Sequence, residues 1–179
     1  MTLTVADLDA FPAEQAAVEL VACCGSSAWV RAMVARRPFG SRDALFRAAD
    51  EEWARLSSAD WLEAFAHHPR IGQQRPVARV GFTAESWSAA EQSRAMNDGD
   101  EVRAQLAREQ SEYEGRFGHV FLISASGKSG NAILAALRQR MRNDPATELR
   151  VAAEEQRKIT RLRLEKLFSP SDTMRSATS

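Results

Sequence analysis

The chain holds three histidines, and two of them, His67 and His68, stand side by side directly before Pro69. Histidine is the side chain whose ordinary pKa lies nearest neutral pH, so it moves protons where other groups cannot. Proline excludes the preceding residue from the helical region. His68 is therefore expected just past a helix end, in extended backbone, presenting its ring to a cleft. Helix-end histidines also cap C-termini, where a cation is favoured. Adjacent residues point in different directions, so one of the pair is expected to reach a site, and Pro69 favours His68. His67, His68 and His119 lack metal-ligand spacing, which argues against a zinc site.

Other residues could join such a ring. Ser88-Ala89-Ala90-Glu91 is a capping-box pattern, and Glu91 could close the box or orient an imidazole. In the C-terminal helical pattern Arg163 lies four residues from Ile159 and from Leu167, on the apolar side. A buried guanidinium needs an anionic or carbonyl partner, from the protein or from a substrate. Ser126-Gly127-Lys128-Ser129 resembles the end of a phosphate-binding loop, but the pattern needs glycine where Leu122 stands. A turn into a helix explains it better.

Helices must position these groups. Apolar residues recur at helical spacing over Ala13–Cys24, about Ala28–Arg36, Ser41–Leu56 and Ala59–Ala66, with serines at the joints and Pro38 as a stop. Trp61, Leu62 and Phe65 of the fourth segment are expected to face inward. Further helices are predicted from Ser88 to about Met96, from an Asp98–Glu101 capping box to about Phe117, over Asn131–Arg142, and from Asp144-Pro145 to about Phe168. Residues 119–125 form the one β-like run. Gln73 to Phe82 reads as a loop. The four tryptophans (Trp29, Trp53, Trp61, Trp87) sit at apolar helical positions and are read as core. An all-α, single-domain compact helical bundle follows, over residues 1–168, with at most one short extended segment. Small polar residues 169–179 predict a disordered tail.

With 44% hydrophobic residues the chain can bury a core, and 24 basic residues balance 24 acidic ones. That balance gives no nucleic-acid or membrane footprint. No apolar run approaches a membrane span, and no signal peptide is expected, so a cytoplasmic protein is predicted. The adjacent Cys23 and Cys24 have no further cysteine to pair with and are read as reduced core residues.

Five blocks in order carry a resemblance: Arg37-Pro38-Phe39; His68-Pro69-Arg70-Ile71-Gly72; Ser88-Ala89-Ala90-Glu91-Gln92; Phe117 to Ser129; and Lys158-Ile159-Thr160-Arg161-Leu162-Arg163-Leu164. The series resembles 2-oxo-4-hydroxy-4-carboxy-5-ureidoimidazoline (OHCU) decarboxylase, over about residues 8–168. The resemblance implies an all-α fold, a homodimer, no metal or organic cofactor, and conversion of OHCU to (S)-allantoin and carbon dioxide in urate and purine breakdown. It implies His68 as the catalytic residue. It also implies substrate contacts from Pro69, Ser88, Glu91, Gln92 and Arg163, and backbone contacts from Phe121, Leu122, Ile123, Ser124 and Ala125. A nearby Glu91 carboxylate would favour the charged form of His68. Two competing readings are a non-catalytic helical interaction module and a related enzyme acting on another ureide or purine ring. A pocket joining His68, Glu91 and Arg163 would argue against the module.

Overall fold

Side-chain caps place most of the helix starts. Thr4, Ser26, Ser41, Ser57, Ser129 and Asp144 each accept a hydrogen bond from a backbone N–H two or three residues inside a helix. Each such cap is worth about 1 kcal/mol against alanine. The computed structural model describes residues 3–72 and 99–168. Its helices are α1 (Val5–Ala10), α2 (Ala13–Cys23), α3 (Ser27–Ala35), α4 (Arg42–Ala54), α5 (Ser58–Ala66), α6 (Asp100–Phe117), α7 (Gly130–Arg140) and α8 (Pro145–Leu167). Among the described residues there is no strand, and the fold is all-α. The β-like run expected at 119–125 is an irregular connection between α6 and α7.

The long α8 organises the rest. It packs against α2, α4, α5 and α6, while α6 packs on α7. Its inner stripe (Ala152, Gln156, Ile159, Thr160, Arg163, Leu164, Leu167) is buried along successive turns. The main core joins it to Leu20, Trp29, Met33, Leu45, Trp53 and Phe65. A second cluster, around Tyr113, Phe121, Ile133 and Leu137, fills the space between α6, α7 and their connection. Two buried indoles tie helices together: Trp29 Nε1 donates to the Ala49 carbonyl and Trp53 Nε1 to the Ala153 carbonyl, both at 3.1 Å. A buried indole N–H left without an acceptor would cost stability, so these bonds fix how α3, α4 and α8 sit together.

Several expectations change. Leu62 is 41% exposed while Trp61 and Phe65 face the core, because one face of α5 covers α3 and α8 and Leu62 lies off it. The start of α6 is capped by Gly99 at φ 89°, with no side-chain cap, and acidic Asp100 and Glu101 occupy the first turn instead. An acidic first turn favours the helix through its dipole. Helix α1 was not expected, although Thr4 and Asp7 form its reciprocal capping box. The helices predicted to end at Leu56 and Arg142 stop at Ala54 and Arg140. The loop at 73–82, the helix from Ser88, Trp87, Asp98 and the tail 169–179 lie outside the described residues.

Candidate active site around His68

Helix α5 ends at Ala66, and its last turn closes through His67 N–H to the Ala64 carbonyl and His68 N–H to the Phe65 carbonyl. His67 is the C-cap, and Pro69 prevents a further turn. The two rings then part. His67 is exposed and packs against Gly25, while His68 is buried. A Cβ built on Gly25 would meet the Cγ, Cδ2 and Cβ of His67 at 2.4, 2.5 and 2.7 Å. Glycine is needed there for the α2–α3 corner to approach α5. Gly25→Ala is expected to destabilise the fold by about 1–3 kcal/mol. Adding His67→Ala removes Cγ and Cδ2 but keeps the Cβ, so it should restore only part of that loss in urea unfolding. Additive losses would show that the two residues do not press on one another.

The segment after His68 is clamped by α6. Arg70 makes a forked ion pair with Glu114, Nε to Oε1 at 2.7 Å and Nη2 to Oε2 at 2.6 Å. The buried Gln110 accepts from Ile71 N–H at 2.9 Å and donates to the Ile71 carbonyl at 3.0 Å. A side-chain amide pairing with both backbone groups of one residue holds that residue as a strand neighbour would. Sequence reasoning assigned nothing to Gln110 or Glu114; only their separation by one helical turn marks them as sharing a face.

Behind His68, α8 supplies a polar stripe within the apolar core. Gln156, Thr160 and Arg163 are all buried, at the spacing of successive turns. Arg163 Nη1 donates to the Ala22 carbonyl near the end of α2 at 3.4 Å. The partner anticipated for this arginine is thus, in part, a backbone carbonyl. Cys23 and Cys24 are buried and reduced, as expected from their pattern. Burial pushes both thiols up, Cys24 to about 11, so neither is a thiolate at neutral pH.

His68 is pushed the other way. Burial, then the Arg163 charge, lowers its pKa from 6.5 to about 3; the Gln156 side chain works against them, and His67 adds a small further decrease. The carboxylate expected to favour the charged form, Glu91, lies outside the described residues; the described ones together disfavour it. Desolvation and a neighbouring cation both penalise a second positive charge, so His68 rests as a neutral proton acceptor.

The connection 118–129 is held from beneath. Gly118 ends α6 at φ 76°, a left-handed turn that suits glycine. Phe121, Leu122 and Ala125 are buried, and Ile123 and Ser124 are half-buried. Arg140 Nη1 donates to the Leu122 carbonyl at 2.5 Å. Ser124 N–H donates to Glu155 Oε2 at 2.7 Å, and Lys128 Nζ to the Ser124 carbonyl at 2.7 Å. Burial opposes the Glu155 charge, but Lys158 and the Ser124 N–H outweigh it and lower its pKa. Arg140 also pairs with Glu148, through Nε at 2.8 Å and Nη2 at 2.5 Å; Glu148 in turn accepts from Tyr113 Oη and, at 2.8 Å, from Asn143 Nδ2. Lys128-Ser129 is the turn into α7, with Lys128 N–H on the Ala125 carbonyl and Ser129 as cap. His119 is half-buried and packs on Phe65 and Tyr113, as an aromatic spacer.

The structure thus brings His68 and Arg163 together and leaves Pro69 half-buried beside them. Ser88, Glu91 and Gln92 lie outside the described residues. A shallow depression between α4 and α8, lined by Phe46, Asp50, Trp53, Arg157 and Arg161, contains neither His68 nor Arg163. Among the described residues no three His, Cys, Asp or Glu side chains gather as metal ligands, and no helix is long and apolar enough to cross a membrane.

An all-α fold built around a buried, neutral imidazole and a buried guanidinium defines the class of protein. The chain belongs to the OHCU decarboxylase family, whose sequence model matches residues 9–165. It is 39% identical over 148 residues (82% of this chain) to the uric acid degradation bifunctional protein TTL of Arabidopsis thaliana, and spans 45% of that protein. It is 36% identical over 105 residues to the 2-oxo-4-hydroxy-4-carboxy-5-ureidoimidazoline decarboxylase of Amia calva, covering 56% of this chain and 57% of that one. The chain therefore spans about half the length of these curated relatives. A crystal structure of OHCU decarboxylase in the presence of (S)-allantoin is similar at a TM-score of 0.73 and 35% identity, over 84% of this chain and 97% of that chain. A crystal structure of (S)-allantoin synthase shares the fold at a TM-score of 0.67 and 20% identity.

Proposed function

We propose that this chain decarboxylates OHCU to (S)-allantoin and carbon dioxide, as a cofactor-independent carboxy-lyase of urate degradation working in the cytoplasm as a homodimer. The observation that carries the reading is the buried neutral His68 beside the buried Arg163, inside a chain of this family. Loss of carbon dioxide leaves an electron pair that the adjacent ring C=N group of OHCU can accept. The protein's task is then to hold the carboxylate out of the ring plane, stabilise developing charge and put a proton on one face.

Each group has a part in this reading. Arg163 offers a fixed positive charge and a forked donor to a substrate carboxylate or carbonyl. Once carbon dioxide has left, the C=N nitrogen takes a proton from solvent, and His68, neutral at rest, takes the proton of the hydroxyl, whose carbon becomes a carbonyl, and returns it to the neighbouring ureido-bearing carbon. One group serving both steps keeps the proton on one face. Pro69 holds the ring's backbone. Ser88, Glu91 and Gln92 would contact the substrate, as would the backbone of Phe121, Leu122, Ile123, Ser124 and Ala125.

The test uses OHCU generated fresh from urate. Ultraviolet absorbance follows its loss, and circular dichroism follows the handedness of the product. Uncatalysed decay gives racemic allantoin, so accelerated loss with an excess of (S)-allantoin is the expected result. Decay at the uncatalysed rate to racemic product would refute the proposal.

A further inference from the structure

Gln156 is fully buried on the inner face of α8, one turn before Thr160 and two before Arg163. Buried amides normally have both ends paired. Here Nε2 donates to Thr160 Oγ1 at 3.2 Å, while Oε1 is buried with no hydrogen-bond partner. The orientation of the amide follows from its neighbours. The Thr160 hydroxyl favours the thiolate form of the neighbouring Cys24, as a donor to its sulfur would. Its oxygen is then left to accept from an N–H, which Gln156 Nε2 supplies. Oε1 must therefore point the other way, and the ring whose charged form the Gln156 side chain favours is that of His68. Among the described residues, the charged groups acting on His68 are Arg163 of α8 and the adjacent His67. Both are basic, so neither can accept a proton-bearing ring nitrogen when charged. The amide carbonyl can.

We propose that Gln156 is a positioning residue for His68: its carbonyl oxygen, aimed by Thr160, accepts one ring N–H and fixes a single neutral tautomer, leaving the other ring nitrogen bare for the substrate. The hydrogen bonds run in one direction, from His68 N–H to Gln156 Oε1, from Gln156 Nε2–H to Thr160 Oγ1, and from Thr160 O–H to Cys24 Sγ. Oε1 has no other bond to give up for this N–H, and it takes it most strongly when the ring becomes cationic during the proton transfer. This inference rests on His68 being the proton-transfer group of the proposed reaction. A histidine in the wrong tautomer presents a hydrogen where a lone pair is needed and cannot act as base.

The experiment reads the tautomer without turnover. Long-range 1H–15N NMR of the full chain gives the two ring nitrogen shifts of His68, assigned by their loss in His68→Asn. Wild type is expected to show one neutral tautomer, unchanged from pH 8 to about pH 5. Gln156→Leu should show a mixed or reversed tautomer. Its kcat should fall roughly 10- to 100-fold, part of what a general base supplies, with KM changed less than about threefold. Gln156→Glu keeps the volume and should move the His68 titration upward by about 1–3 pH units. The same single tautomer and unchanged kcat in Gln156→Leu would overturn the proposal. If that variant does not fold, an unmoved His68 titration in Gln156→Glu overturns it equally. Wild-type turnover by His68→Asn removes the catalytic reading instead, and the NMR comparison still decides whether Gln156 sets the tautomer.

Discussion

His68→Asn is expected to lose about 10²- to 10⁴-fold in OHCU decarboxylation, the usual contribution of a general acid–base group. Allantoin formed in its presence should approach the racemic mixture. Asparagine keeps a polar side chain of similar reach but cannot take and return a proton. His67→Asn should stay within a few-fold of wild type, because His67 faces solvent and presses on Gly25 rather than on the buried stripe of α8. Equal losses at both positions would sink the distinction between the two rings.

The same variant carries a signature in stability. The folded-state pKa of His68 is lowered to about 3 from 6.5. Between those values the unfolded chain binds a proton that the folded chain refuses, so unfolding becomes easier as pH falls. The stability is fully present above about pH 6.5 and is lost as pH drops toward 3. The slope is about 1.4 kcal/mol per pH unit, or about 2–3 kcal/mol by pH 4.5. His68→Asn lacks this group, so its urea midpoint should fall less than that of wild type between pH 7 and pH 4.5. The carboxylates titrate in both proteins and cancel in the comparison. Parallel pH profiles would show that the imidazole is not buried neutral.

Glu148→Ala is expected to cause the largest loss of stability, about 3–5 kcal/mol, the cost of breaking a buried pair from one side. Glu148 is fully buried and receives Arg140, Tyr113 and Asn143. Removing it strands a guanidinium and a phenol in the core. For a chain of this size the melting temperature should drop by roughly 10 °C. Replacing both partners, as Arg140→Met with Glu148→Leu, should recover much of the stability, because an apolar pair of similar volume carries no desolvation cost. The double variant also lacks the Arg140 bond to the Leu122 carbonyl. If residues 121–125 bear on substrate, it should bind OHCU more weakly than wild type despite its recovered fold. A Glu148→Ala midpoint within about 1 kcal/mol of wild type would mean that the network is not sealed from water.

Much of the fold was legible because helix boundaries are local. Ser26, Ser57 and Asp144 announce three starts by side-chain chemistry alone, and Pro69 announces the end of α5. The missed α1 has only six residues, too few for periodicity, yet its Thr4–Asp7 box was readable. The start of α6 shows the limit of such signals: Gly99, which has no side chain to offer, holds the cap position there. Leu62 shows another: spacing on one turn does not say how wide the covered face is.

By itself the sequence determined an all-α chain, the separation of His68 from its helix by proline, and Arg163 on an apolar face. It could not say that His68 is neutral, because that depends on burial by α8 and on a guanidinium 95 residues away in the chain. Nor could it name Gln156, Gln110 or the Arg140–Glu148 pair as supports. Glutamine and ion pairs are ordinary on helix surfaces, and only packing removes water from them. Tertiary structure decided which of two adjacent histidines lost its solvent, and desolvation is what gives His68 its chemistry.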